Sequence, residues 1–158
     1  MTRRRVRRAP RAREGIARYT GVPSGPVVVD ASIAFFWFAN EADRLGAARL
    51  LETEAALVSP DLMAAEVTNA WWKKARRREM SLADVEQAVT NLLALGIEWV
   101  ASAQLIRPAA RLALEVDHSV YDCLYLGLAA SRSALLATAD ERLRRAAERV
   151  GVRIWRSS

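Results

Sequence analysis

Val27-Val28-Val29-Asp30-Ala31-Ser32 decides how the rest of the chain is read. Three β-branched residues in a row, with nothing polar among them, suit a strand buried on both faces. Short apolar runs of the same kind recur at Ala56-Leu57-Val58, Ile97-Glu98-Trp99-Val100, Ala134-Leu135-Leu136-Ala137 and Val152-Arg153-Ile154-Trp155. Between them lie segments with helical spacing, at about 42–54, 61–79, 82–95, 107–116, 120–132 and 141–149. Ser59-Pro60 reads as a cap and first-turn proline, Ser81 with Asp84 as a capping box, and Gly96 and Gly151 as helix stops. Buried strands alternating with helices predict an α/β fold of three layers, α/β/α, with a central parallel sheet of four to five strands and helices on both faces.

With 158 residues there is room for one ordinary domain, and at 52% hydrophobic it can bury a core without disulfides. One cysteine, Cys123, excludes a disulfide scaffold, a thiolate zinc site and a CxxC redox pair, and one histidine, His118, excludes a multi-histidine metal site. No apolar run reaches the roughly 18 residues of a membrane span, and no signal-peptide core opens the sequence, so a soluble protein of a reducing compartment is expected. Chemistry is left to carboxylates, hydroxyls and cations.

The net charge of +6 is unevenly placed. Residues 1–18 hold eight arginines against Glu14, a balance of +7, and the remainder sums to −1. Residues 1–25 lack hydrophobic periodicity and end in a Gly/Pro/Ser-rich stretch. We expect them to form a flexible arginine-rich extension, and residues 26–156 to form the domain. The extension is either an arm that gains affinity for RNA or DNA by counterion release or an incidental appendage.

In an open α/β sheet, ligands bind beyond the carboxyl ends of the strands where strand order reverses. Asp30 ends the first strand, Asp140 follows the 134–138 run by two residues, Asp122 falls in the first turn of the helix before that run, and Glu66 lies in the helix after the second strand. Each has a structural reading as well: Asp140 as a helix cap, Asp122 as a helix-dipole partner, Glu66 as a solvated helical residue. Asp30 has the least structural reason to stand where it does. Two like charges 4 Å apart cost on the order of 4 kcal/mol at an effective dielectric near 20, so converging carboxylates either take up protons or hold a cation. Oxygen ligands without cysteine or histidine clusters suit Mg²⁺ or Mn²⁺. Such an ion acidifies water and offsets charge on phosphoryl oxygens, which leads to metal-dependent phosphotransfer or hydrolysis.

Four blocks in order, Val27–Ser32, Pro60–Ala70, Asp117–Ala129 and Leu136–Asp140, resemble the PIN domain of the VapC toxin type over essentially residues 26–156. The resemblance implies a Mg²⁺- or Mn²⁺-dependent endoribonuclease, cytoplasmic, usually a homodimer, and inhibited by a small antitoxin protein. By position Asp30, Glu66, Asp122 and Asp140 match the family's acidic quartet. Asp30, Asp122 and Asp140 would hold the ion, with Glu66 binding a second ion or orienting water. Ser32 and Thr138 match hydroxyl positions beside the quartet, and Asn69 lies about one helical turn after Glu66; water or phosphate positioning and plain packing are both open for these three. Ser119 stands where the family often has proline.

Lys73, Lys74, Arg76, Arg77 and Arg78 fill five of six positions two to three turns after Glu66 on one helix. They either contact RNA phosphates or complement the helix dipole. Trp71 and Trp72, being adjacent, face different ways, and the helices 61–79 and 82–95 offer apolar surface for self-association. His118 reads as a turn residue and Cys123 as a small core residue. A non-catalytic RNA- or protein-binding module of the same fold is the alternative from another class. A phosphoacceptor receiver domain is disfavoured for want of an acidic pair before the first strand's end.

Overall fold

The valine run becomes the inner strand of a parallel sheet. In the computed structural model, which describes residues 25–39 and 46–157, β1 (Val27–Val29) pairs with β2 (Leu57–Pro60) on one side and β4 (Leu135–Ala137) on the other. β3 (Glu98–Val100) extends the β2 edge, so the order is β3-β2-β1-β4 with every pairing parallel. All three valines are fully buried, as the absence of any polar residue among them requires. The fifth apolar run contributes only a bridge: Ile154 pairs with Leu136, whose amide donates to Arg153 O while its carbonyl accepts from Trp155 N, both at 2.9 Å.

Helices flank this sheet to give the three-layer arrangement: α1 (Ala31–Phe38), α2 (Ala47–Leu51), α3 (Leu62–Arg76), α4 (Leu82–Ala94), α5 (Ser102–Val116), α6 (Val120–Ser131) and α7 (Glu141–Arg149). α6 is wedged between α5 and the strands β1, β2 and β4, which explains why Cys123 through Leu126, Leu128 and Ala129 are all buried and why its apolar face is so wide. Among the described residues no helix is long and apolar enough to cross a membrane.

Two local expectations are corrected, and one helix is added. Ser59-Pro60 is no helix cap: both residues lie in β2, where the buried Ser59 hydroxyl donates to Val29 O at 2.8 Å and ties β2 to β1. α5 begins at Ser102, earlier than expected, and carries the exposed Pro108 inside it. α1 had no counterpart in the periodicity, because Ala-Ser-Ile-Ala-Phe-Phe-Trp-Phe is apolar on nearly every side. The Ser81–Asp84 capping box and the Gly151 stop (φ 75°) are present. Of the expected 42–54 helix only Ala47–Leu51 is helical here, its first residues lying outside those described; the predicted extension also lies outside them, Gly25 excepted.

Candidate active site

Parallel pairing puts the carboxyl ends of β1, β2 and β4 on one edge, and the order reverses at β1, which has β2 on one side and β4 on the other. That is where an open sheet leaves a crevice. Asp30 leaves β1 there, its amide donating to Ala137 O of β4 at 3.0 Å. It is only 7% exposed, and its Oδ2 accepts from the Ser32 hydroxyl at 2.5 Å and the Thr138 hydroxyl at 2.6 Å. The Thr138 hydroxyl in turn accepts from Asp140 N at 3.0 Å, and Ser32 Oγ from Ala139 N at 2.9 Å. Ser32 and Thr138 thus lock the end of β1 to the end of β4 through one carboxylate.

Glu66, half-buried on α3, accepts a hydrogen bond on Oε2 from the phenol of Tyr125 on α6. Asp122, in the first turn of α6, accepts on Oδ2 from the Ser119 hydroxyl at 2.6 Å, while its own amide donates back to Ser119 Oγ at 3.1 Å. Ser119 therefore caps α6 and orients Asp122 together. Asp140 is the N-cap of α7, its Oδ1 accepting from Arg142 N at 2.7 Å and Leu143 N at 3.1 Å. The capping role expected of Asp140 is real, and it occupies one oxygen.

Electrostatically, three of the four acids form one group. Burial raises the Asp30 carboxyl above its ordinary value, the Ser32 and Thr138 hydroxyls oppose that rise, and the charge of Asp122 adds to it. Glu66 is also raised, by burial first, with Tyr125 opposing and Asp30 and Asp122 adding. Burial and the neighbouring Glu66 keep the Tyr125 phenol protonated, as a donor must be. Among the described residues no lysine or arginine lies within ion-pair distance of Asp30, Glu66, Asp122 or Asp140. Among the described residues no three Asp, Glu, His or Cys side chains form a group that could hold a metal ion. The donors at hand are carboxylate oxygens, a set whose chemistry suits a hard cation such as Mg²⁺ rather than zinc.

The other expected residues separate. Asn69 is exposed on α3, outside the hydrogen-bonded group. Lys74 pairs with Glu79 at 2.9 Å and lies 5.9 Å from the Phe35 ring centroid, while Arg76 lies 5.4 Å from that of Trp72. Lys73, Arg77 and Arg78 are exposed at the end of α3. Trp71 is fully buried and donates Nε1–H to Phe35 O at 3.2 Å, whereas Trp72 is 49% exposed. His118 occupies the turn between α5 and α6, its Nδ1 accepting from Ser119 N at 2.9 Å and standing 3.0 Å from Asp122 Oδ2. Burial pushes the Cys123 thiol up to about 11, in keeping with an inert core residue. One residue escaped sequence reasoning: Tyr125 follows Asp122 by three positions, a spacing that shares a helix face.

Comparison with known proteins agrees with this fold. The family model of the PIN domain matches residues 27–149. PAE2754 of Pyrobaculum aerophilum is 22% identical, with a TM-score of 0.63 over 79% of this chain and 85% of that one. VapC20 of Mycobacterium tuberculosis, a sarcin–ricin loop cleaving toxin, is 17% identical, with a TM-score of 0.62 over 82% of this chain and 98% of that one. No curated protein sequence matches it. At these identities the two structures speak to the fold alone, and the family model, spanning most of the sequence, places the chain in the PIN-domain family.

Proposed function

We propose that the chain is a Mg²⁺- or Mn²⁺-dependent endoribonuclease, acting in the cytoplasm as the toxin of a VapBC-type toxin–antitoxin pair. The observation that carries this reading is Asp30: a buried carboxylate at the strand-order reversal, sharing a field with Glu66 and Asp122, with no cation of the described chain paired to it. VapC20, a sarcin–ricin loop cleaving toxin by its own description, shares this fold, and RNA is the substrate class we propose. An antitoxin protein and a second copy of the chain are its proposed partners.

Asp30, Asp122 and Asp140 would hold the ion, and Glu66 would hold a second ion or orient the attacking water. When bound, such an ion acidifies water and offsets charge that builds on the phosphoryl oxygens. The protein's own part is orientation. Ser32 and Thr138 fix Asp30, Ser119 fixes Asp122, and Tyr125 fixes Glu66, each by an uncharged hydroxyl donor, and His118 Nδ1 also stands 3.0 Å from Asp122 Oδ2. Exposed Lys73, Arg77 and Arg78 would take phosphates further along the strand.

The second reading, a non-catalytic RNA- or protein-binding module, draws on the spacing of the acids, no three of which form a group that could hold a metal ion among the described residues. Total RNA incubated with the purified protein separates the two. Cleavage that needs Mg²⁺ or Mn²⁺, stops with EDTA and is lost in Asp30→Asn is the expected result. Intact RNA under all conditions refutes the nuclease.

A further inference from the structure

Beside the carboxylates, between α1 and α3, lies a cleft of about 390 Å³. Its walls are Phe35, Phe36, Val67 and Ala70, and Ser32 and Glu66 connect it to the acidic group. The aromatics of α1 divide by role. Trp37 donates Nε1–H to Ala47 O at 2.9 Å and Phe38 packs edge-on against Trp71, so both are used by the fold. Phe35 carries Lys74 over its ring. Phe36 meets Phe35 at 83° with centroids 5.3 Å apart and otherwise lines the cleft, partly exposed.

We propose that this cleft holds a nucleobase of the substrate, stacked on Phe36, beside the phosphodiester at the carboxylates. The inference rests on the nuclease reading and names the substrate subsite next to its site. Three observations select a base as the occupant. The cleft adjoins the acids through Ser32 and Glu66, so a strand whose phosphate lies at Asp30 has it within reach of the neighbouring base. Its walls are apolar and aromatic, which suits the face of a base and repels a phosphate. Beyond it on α3, about 11 Å from Glu66 by helical rise, comes the exposed Lys73, with Arg77 one turn later, so the charges alternate as a strand's own chemistry does: phosphate, base, phosphate.

The test is binding of the full-length protein, in EDTA and at low salt, to two fluorescein-labelled probes read by anisotropy: a uridine hexanucleotide and an abasic hexamer of the same backbone. Wild type should bind the uridine probe about thirtyfold more tightly, the middle of the range for one base on an aromatic ring. Phe36→Leu, which keeps the apolar volume and removes the ring, should bind the abasic probe like wild type and shrink the preference to about twofold or less. Phe36→Tyr should restore it. Equal binding of the two probes by wild type, or a preference untouched by Phe36→Leu, overturns the proposal. So does a cleft that ignores bases but takes N-acetyltryptophanamide in a Phe36-dependent way, which would mark it as a seat for a protein side chain. The nuclease reading fails separately: base preference without metal-dependent cleavage removes the nuclease and keeps the subsite, and cleavage without base preference does the reverse.

Discussion

Asp30→Asn should make the protein more stable in EDTA while abolishing cleavage. The amide is nearly isosteric, so its oxygen can go on accepting from the Ser32 and Thr138 hydroxyls now at 2.5 and 2.6 Å. Replacing a charged acceptor by a neutral one weakens those two bonds by about 1 kcal/mol each. Against that stands the cost of burying the carboxylate, several kcal/mol per ion, together with repulsion from Asp122. The balance favours the variant by about 2 kcal/mol at pH 7, or about 4–8 °C in Tm for a chain of this size. The pH dependence has a definite sign. A carboxyl whose folded pKa lies above its unfolded value binds more protons folded, so its contribution to stability is fully present below the unfolded pKa and is lost as pH rises to the folded pKa. Lowering the pH from 7 in EDTA should therefore stabilise wild type relative to Asp30→Asn until the two curves converge. Mg²⁺ or Mn²⁺ at 100 times its Kd should add about 2.7 kcal/mol to wild type and much less to the variant. Urea denaturation of both proteins, with and without the ion at pH 7 and 5, measures all of this. A variant less stable than wild type in EDTA at pH 7, or a difference that does not change with pH, refutes the account of Asp30 as an uncompensated buried charge.

Asp140→Ala should lose about 1 kcal/mol with the cap, and Asp140→Asn only a few tenths, yet both should lose cleavage equally; activity that follows stability instead would reduce Asp140 to a helix cap. Tyr125→Phe removes the donor that opposes the rise of Glu66, so the acid limb of the pH–activity profile should move to higher pH, with about 1.5 kcal/mol of stability lost; an unmoved limb would remove Glu66 from the reaction. Lys73→Ala with Arg77→Ala should lower the slope of log affinity for single-stranded RNA against log salt by about 1.4, at roughly 0.7 per phosphate contact. An unchanged slope leaves these residues to the helix dipole.

The sheet was legible because a buried strand announces itself: Val27–Val29 can only be satisfied inside, and the shared edge of Asp30 and Asp140 follows from parallel pairing. α1 was not, since eight residues with apolar side chains on nearly every side carry no period to read. Ser59-Pro60 misled for a related reason. A hydroxyl next to a proline signals a cap locally, and only the approach of β1 gives that hydroxyl the Val29 carbonyl instead. Of the candidate site, the acids could be found because their places relative to strand ends are set by topology. Tyr125 could not, because its partner Glu66 lies 59 residues away and the two meet only through the packing of α3 near α6.

What the acids lack is as informative as what they have. A protein that merely needed Asp30 anchored could place an arginine there and gain a charge-assisted bidentate pair. Instead the described chain anchors Asp30 and Glu66 with hydroxyls from Ser32, Thr138 and Tyr125. A hydroxyl fixes a carboxylate's orientation and leaves nearly all of its charge in the crevice, so the fold is held below the stability its packing alone would allow. Under the proposed function that deficit is the source of affinity for a divalent ion: the repulsion and desolvation borne by the empty-handed protein are relieved when a cation arrives, and an arginine in the same place would remove both the strain and the activity.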